Sequence, residues 1–321
     1  MSSAQIMSVS ATEVEMTDFK RPSSLPSQGF QFSYHPVSLT YHPVLEPNEI
    51  AALRQLKLKF LVYHGKYVYN FCRENVESQI ESLVKEIELA TQLGCDVIIH
   101  QGKNVESANQ TKLAAVNNYV RNLSEVIDRT SDSTAKILLE NSAGQGSELG
   151  STLEELTYIY NQFDDTAKER LGFCLDTCHA FVAGEIDLRQ PASIQRFITQ
   201  FEQQIGREKL GCIHFNDSAV PFGGRHDNHS DWMGGFITNP LLGGSTEGAQ
   251  WFAQWAHEYQ VPLIFETPCT LPGTHELQSH LLRNWIDQSP LTTDQSNLIQ
   301  VIETITAESL TSKRNKRKTQ S

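Results

Sequence analysis

The 321-residue chain has no apolar run approaching the ~18 residues needed to span a bilayer, no CxxC pair and no internal repeat. No membrane span, paired-thiol redox motif or solenoid is therefore expected. Residues 1–26 lack both a continuous apolar stretch and a cleavage-site pattern, so no secretory signal is expected and the reading is an intracellular protein, nuclear or cytoplasmic. Positive charge is also short: 26 Lys and Arg stand against 38 Asp and Glu, a formal net charge of −12. That balance argues against a surface that coats nucleic acid without selection. It leaves room for a local basic groove, because carboxylates committed to divalent ions are already neutralised at their site. The six cysteines, Cys72, Cys95, Cys174, Cys178, Cys212 and Cys269, are scattered along a long chain and read as reduced thiols.

What the chain does have is strand and helix patterns in alternation. Apolar or β-branched runs at 29–34, 58–63, 95–100, 136–140, 171–175, 210–215 and 261–266 read as strands. The segment 74–94 between two of them carries Val76, Ile80, Leu83, Val84, Ile87 and Leu93 on one helical stripe, with Gly94 placed as a C-cap. Strand–helix alternation implies a parallel sheet. An eighth strand would have to come from QIMSVSA at 5–11. The expected organisation is an irregular segment over 1–26, one α/β domain over 27–311 with a poor first βα unit, and a basic tail over 312–321. The tail holds Lys313, Arg314, Lys316, Arg317 and Lys318 and reads as a localisation signal, a phosphate-binding tail or a solvated end.

Most of these strands end in a metal-type ligand. His64 follows KFLVY, His100 follows DVII, and LLENSAGQG, GFCLDTCHAF, IHFNDS and LIFETP supply Glu140, Asp176, His179, His214 and Glu266. The Gly-rich loop FGGRHDNH adds Asp227 and His229. One such residue after a strand is ordinarily a satisfied structural group, but repetition at one topological place points to the C-terminal mouth of a (β/α)8 barrel, where that fold keeps its chemistry. Imidazole and carboxylate without thiolate suit catalytic zinc or manganese. Nine ligands exceed the needs of one ion, so two or three ions sharing a carboxylate are expected, an arrangement suited to in-line phosphoryl displacement.

At these residues the sequence resembles the endonuclease IV family of apurinic/apyrimidinic (AP) endonucleases. The resemblance spans roughly residues 27–290 and rests on HGKYVYN, IIHQG, LLENSAGQGSELG, GFCLDTCHAFVAG, HFNDS, FGGRHDNH and FETP. It implies a TIM barrel with three zinc ions that cuts duplex DNA on the 5′ side of an abasic site in base excision repair, as a monomer. His64, His100 and Glu140 would hold the first ion, and Glu140 would bridge to a second held by Asp176, His214 and Glu266. His179, Asp227 and His229 would take the third. Tyr67 and Val68 match the family's Tyr-Leu wedge, and Asn70 follows as a further expected DNA contact. The chain departs from the family pattern at His35-Pro36-Val37, where Asn-Pro-Arg is usual, at Ala219 in place of a lysine, and at Asp227-Asn228-His229-Ser230 in place of Asp-Arg-His-His. Two other classes compete: a divalent-metal sugar isomerase or epimerase on a related barrel, which needs fewer ligands, and a catalytically weakened DNA-binding homologue or scaffold.

Overall fold

Eight parallel strands close into a barrel: β1 (Ile6–Ser8), β2 (Gly29–Ser33), β3 (Phe60–His64), β4 (Asp96–His100), β5 (Ile137–Glu140), β6 (Leu171–Asp176), β7 (Leu210–His214) and β8 (Leu263–Phe265). Each pairs with its neighbour in sequence, and β1 closes the ring against β8 from Ile6↔Leu263 to Ser8↔Phe265 and against β2 at Met7↔Gly29. Helices follow the strands, and the architecture is the TIM (β/α)8 barrel. The computed structural model describes residues 6–8, 29–33, 47–55, 60–105 and 110–318.

The barrel's interior explains why the ligand candidates face one another. Val62, Ile98, Leu138, Cys174, Cys212 and Ile264 form a buried cluster inside the strands. Each stands two residues ahead of a candidate: His64, His100, Glu140, Asp176, His214 and Glu266. Residues i and i+2 of a strand share a face. A side chain that fills the middle of the barrel therefore sends the residue two places on into its C-terminal mouth. Gly172 makes room for this layer, since a Cβ there would lie 2.7 Å from Leu138 Cδ2.

The expected helix is present as Glu77–Leu93, with Ile80, Leu83, Ile87 and Leu93 buried. Gly94 caps it at φ 72°, its N–H turned to the carbonyls of Ala90 and Thr91. Two features refine the expected organisation, and the first falls in the segment 5–11 named for the eighth strand. The stretch 1–26 is not wholly irregular, because β1 lies inside it and completes the barrel. Three residues are too few to show a period, and their pairing partners are distant in sequence. The tail is not separate either, because the helix Thr293–Lys318 runs through its first seven residues. That helix is anchored earlier by buried Ile302 and Ala307 and by Asn239 Nδ2 donating to the Glu303 carbonyl at 2.8 Å, and an anchored helix propagates cheaply. Residues 12–26, where Pro22 and Pro26 oppose a first helix, and the loop His35-Pro36-Val37 lie outside the described residues. Among the described residues no helix is long and apolar enough to cross a membrane.

Candidate metal centre

All nine ligand candidates meet at the barrel mouth, arranged around the buried carboxylate of Glu140. Its Oε2 lies 3.2 Å from His64 Nε2 and 3.6 Å from His100 Nε2, while its Oε1 lies 2.9 Å from His214 Nδ1. His214 Nδ1 is also 3.0 Å from Glu266 Oε2 and 3.8 Å from Asp176 Oδ2. On the far side, His179 Nε2 faces Asp227 Oδ2 at 3.2 Å, and His229 Nε2 faces Asp227 Oδ1 at 3.3 Å and Asp176 Oδ2 at 3.5 Å. Five groups have ligand atoms within 4.8 Å of one another: His64 with His214 and Glu266, and Cys178 with Asp227 and His229, beside three that share carboxylates, namely His64, His100 and Glu140; Glu140, Asp176, His214 and Glu266; and Asp176, His179 and His229. Of these last three, Glu140 belongs to the first two and Asp176 to the last two.

The hydrogen bonds around this centre orient the rings for coordination. His64 Nδ1 donates to the Gly65 carbonyl at 2.8 Å, His179 Nδ1 to the Asn141 carbonyl at 2.9 Å and His229 Nδ1 to the Glu266 carbonyl at 3.1 Å. Each bond leaves Nε2 turned to the carboxylates. His214 is reversed: its Nε2 donates to Gln31 Oε1 at 2.8 Å, and Nδ1 faces inward. Tying one ring nitrogen to an oxygen acceptor fixes the tautomer and direction of the other, as metal-ligating histidines require. The Nε2 atoms of His179 and His229 are buried with no hydrogen-bond partner, a costly state unless something else takes their lone pairs. The residues present therefore fit a cluster of divalent cations.

The electrostatics shows how strongly these groups interact. Burial pushes each carboxyl upward, yet His100, His214 and His64 hold Glu140 well below the carboxylate range, and His214 holds Glu266 at about 2. Burial dominates at Asp176, whose carboxyl is raised. Burial pushes His100 down to about 4, whereas at His179 and His214 neighbouring carboxylates overcome burial and raise the imidazoles. Three buried carboxylates gathered on one histidine are tenable only where positive charge sits among them. Cys178 lies within reach of Asp227 and His229, but burial raises its thiol well above the ordinary value, which disfavours the thiolate that binds metal.

Several supporting residues were not singled out from sequence. Asn216 Nδ2 donates to Asp176 Oδ2 at 2.8 Å, and its Oδ1 accepts the Glu266 N–H at 2.8 Å. Asn141 Oδ1 accepts the Asp176 N–H. Gln31 Nε2 donates to Glu266 Oε1. Asn141 and Asn216 adjoin ligands within the quoted motifs, and Gln31 is a polar residue between Phe30 and Phe32 in a strand; each was a usable signal.

Tyr67 and Val68 stand exposed on the loop after β3, at 55% and 38%. Asn70, grouped with them as a DNA contact, is buried: its Oδ1 accepts from Cys72 N and Lys103 N. Below the loop, Lys66 Nζ donates to Ser82 Oγ at 2.7 Å and lies 3.6 Å from Glu86 Oε1, which also accepts from Tyr63 OH at 3.0 Å.

A family model described as "Xylose isomerase-like TIM barrel" matches residues 23–268. An Acanthamoeba polyphaga mimivirus protein named as an endonuclease 4 is 37% identical over 215 residues, which make up 65% of this chain and 66% of that protein, just under two thirds of its length. A Campylobacter curvus protein with the same designation is 30% identical over 241 residues, 74% of this chain and 80% of its own. The chain belongs to the endonuclease IV family. Among solved structures, endonuclease IV from Thermus thermophilus superposes with a TM-score of 0.65 at 23% identity, over 81% of this chain and 99% of that one, a likeness of fold. On that fold, this member of the family carries nine potential ligands at its barrel mouth.

Proposed function

We propose that this endonuclease IV family member hydrolyses the phosphodiester on the 5′ side of abasic sites in duplex DNA, using three zinc ions. The observation that carries the reading is the position of Glu140. One oxygen is turned to His64 and His100 and the other to His214, the geometry of a bridging carboxylate. In this reading His64, His100 and Glu140 hold one ion, Glu140, Asp176, His214 and Glu266 a second, and His179, Asp227 and His229 a third. When bound, such ions supply Lewis acidity at a phosphate oxygen and an activated water.

The chain's own residues then have separable tasks. Glu140 and Asp176 space the ligand groups, while Gln31, Asn141 and Asn216 fix their directions. Tyr67 and Val68 present an aromatic and an apolar side chain to the duplex, where insertion offsets an unstacking cost of a few kcal/mol. Asn70 supports them from inside the loop. The protein works as a monomer in a reducing, intracellular setting, consistent with six free cysteines. A labelled duplex with one tetrahydrofuran abasic analogue tests the activity. The expected product is a single cut leaving a 3′-hydroxyl and a 5′ sugar phosphate. Absence of cutting with zinc supplied contradicts the reading.

A further inference from the structure

Eight of the nine ligand candidates sit in buried or half-buried positions, but Asp227 has a side chain 48% exposed, on a loop whose residues 221–228 are all exposed. Something must hold that carboxylate over the mouth. At one end the loop is tied by backbone bonds from Gly223 N to the Phe181 carbonyl at 3.1 Å and from Arg225 N to the Val182 carbonyl at 2.9 Å. At Asp227 itself the tie comes from a different segment. Gln145 Oε1 accepts from His226 Nδ1 at 2.8 Å and from the Asp227 N–H at 3.3 Å. Two donors on one oxygen also settle the orientation of the amide.

Gln145 is well placed to bear this load. It lies between Gly144 and Gly146, both left-handed at φ 70° and 62°, a conformation that favours glycine and turns the intervening residue outward from its loop. The loop is fastened to the end of β4 by Leu149 N to the Gly102 carbonyl and Asn104 N to the Ser147 carbonyl, and Gln145 N donates to Glu148 Oε2 at 2.9 Å. A loop fastened at the end of β4 thus reaches across to the exposed 221–228 loop and adds a side-chain tie at His226 and Asp227 to the backbone ties at Gly223, Arg225 and Asn228.

We propose that Gln145 is a positioning residue that latches the 225–229 loop, and so sets the hold of His179, Asp227 and His229 on their ion. The second half of this inference rests on the trinuclear reading above; the latch itself does not. Removing an outer residue that orients a metal ligand costs ~10–100-fold in affinity, and loss of the two latch bonds should open the loop about tenfold more often.

The test compares wild type with Gln145→Ala and Gln145→Glu, whose carboxylate can accept from the same two donors. Zinc per chain is followed against increasing chelator, and trypsin cleavage after Arg225 is timed on the protein as purified. Expected for Gln145→Ala is release of one zinc at ~10–100-fold less chelator, the others holding as in wild type, with cleavage about tenfold faster. Gln145→Glu should stay close to wild type in both. A wild type that carries fewer than three ions defeats the trinuclear reading and leaves the cleavage comparison to decide the latch. Equal cleavage of wild type and Gln145→Ala, or a Gln145→Glu protein as labile as Gln145→Ala, overturns the proposal.

Discussion

The ring of Tyr67 rests on the ring of His64, their centroids 4.8 Å apart, and lies 5.5 Å from His100. The side chain proposed to enter DNA is therefore also the roof over two metal-ligand candidates. Val68, its aliphatic neighbour, brings no ring to that stack. The proposed wedge and the candidate metal site are coupled through Tyr67 and separable through Val68.

Substitution at the two positions should differ accordingly. Val68→Ala is expected to weaken binding to an abasic duplex several-fold with zinc content unchanged. Tyr67→Ala is expected to weaken binding further and to loosen the ion held by His64 and His100, while Tyr67→Phe keeps the zinc. Fluorescence anisotropy on abasic and intact duplexes, with elemental analysis of each variant, checks this. Tyr67→Ala with wild-type affinity for the abasic duplex removes the wedge assignment.

The buried pair beneath the loop sets a pH dependence of stability. Burial pushes Glu86 from the ordinary 4.5 to about 7, against the pull of Lys66. A carboxyl so raised keeps a proton that the unfolded chain gives up. Its contribution is full below about pH 4.5 and is lost as pH rises through 7, a loss on the order of 3 kcal/mol. Denaturant unfolding should show wild type losing stability between pH 5 and 8 and Glu86→Gln losing markedly less. Parallel curves for the two proteins contradict the assignment.

The last turns of the C-terminal helix carry Lys313, Arg314, Lys316, Arg317 and Lys318 on a chain of net charge −12. Truncation after Ser312 is expected to weaken intact and abasic duplexes by similar factors. It should also flatten the salt dependence by about 0.9 in log–log slope for each phosphate that the tail no longer neutralises. Turnover at saturating substrate should hold. An unchanged salt slope assigns DNA holding to the barrel loops.

Seven of the nine ligand candidates were legible because each ends or closely follows a strand whose apolar pattern spans only a few residues, while Asp227 and His229 stood out as a tight pair on a Gly-rich loop. Local pattern fixes strand ends, and side-chain alternation carries the ligands to one mouth. Which ligand each supporting residue orients was not legible, even where the residue itself stood out, since the partners are remote: Gln31 meets His214 across 183 positions, and Gln145 meets His226 across 81. The segment 5–11 stands out as the candidate eighth strand, but β1 within it cannot be delimited from sequence, because three residues carry no period. Asn70 looks like a surface residue from its motif. Its burial is set by Cys72 and Lys103, which the loop folds back to meet.

The most direct test of the central claim is a zinc titration of metal-stripped protein, read as cleavage of an abasic duplex and repeated with Glu140→Gln. Cutting should reach its plateau at three zinc ions per chain. Glu140→Gln should lose more than the ~100-fold that even an outer-shell change can cost, while still binding the abasic duplex. Full activity with one zinc or fewer, or a Glu140→Gln protein that cuts as wild type does, contradicts it.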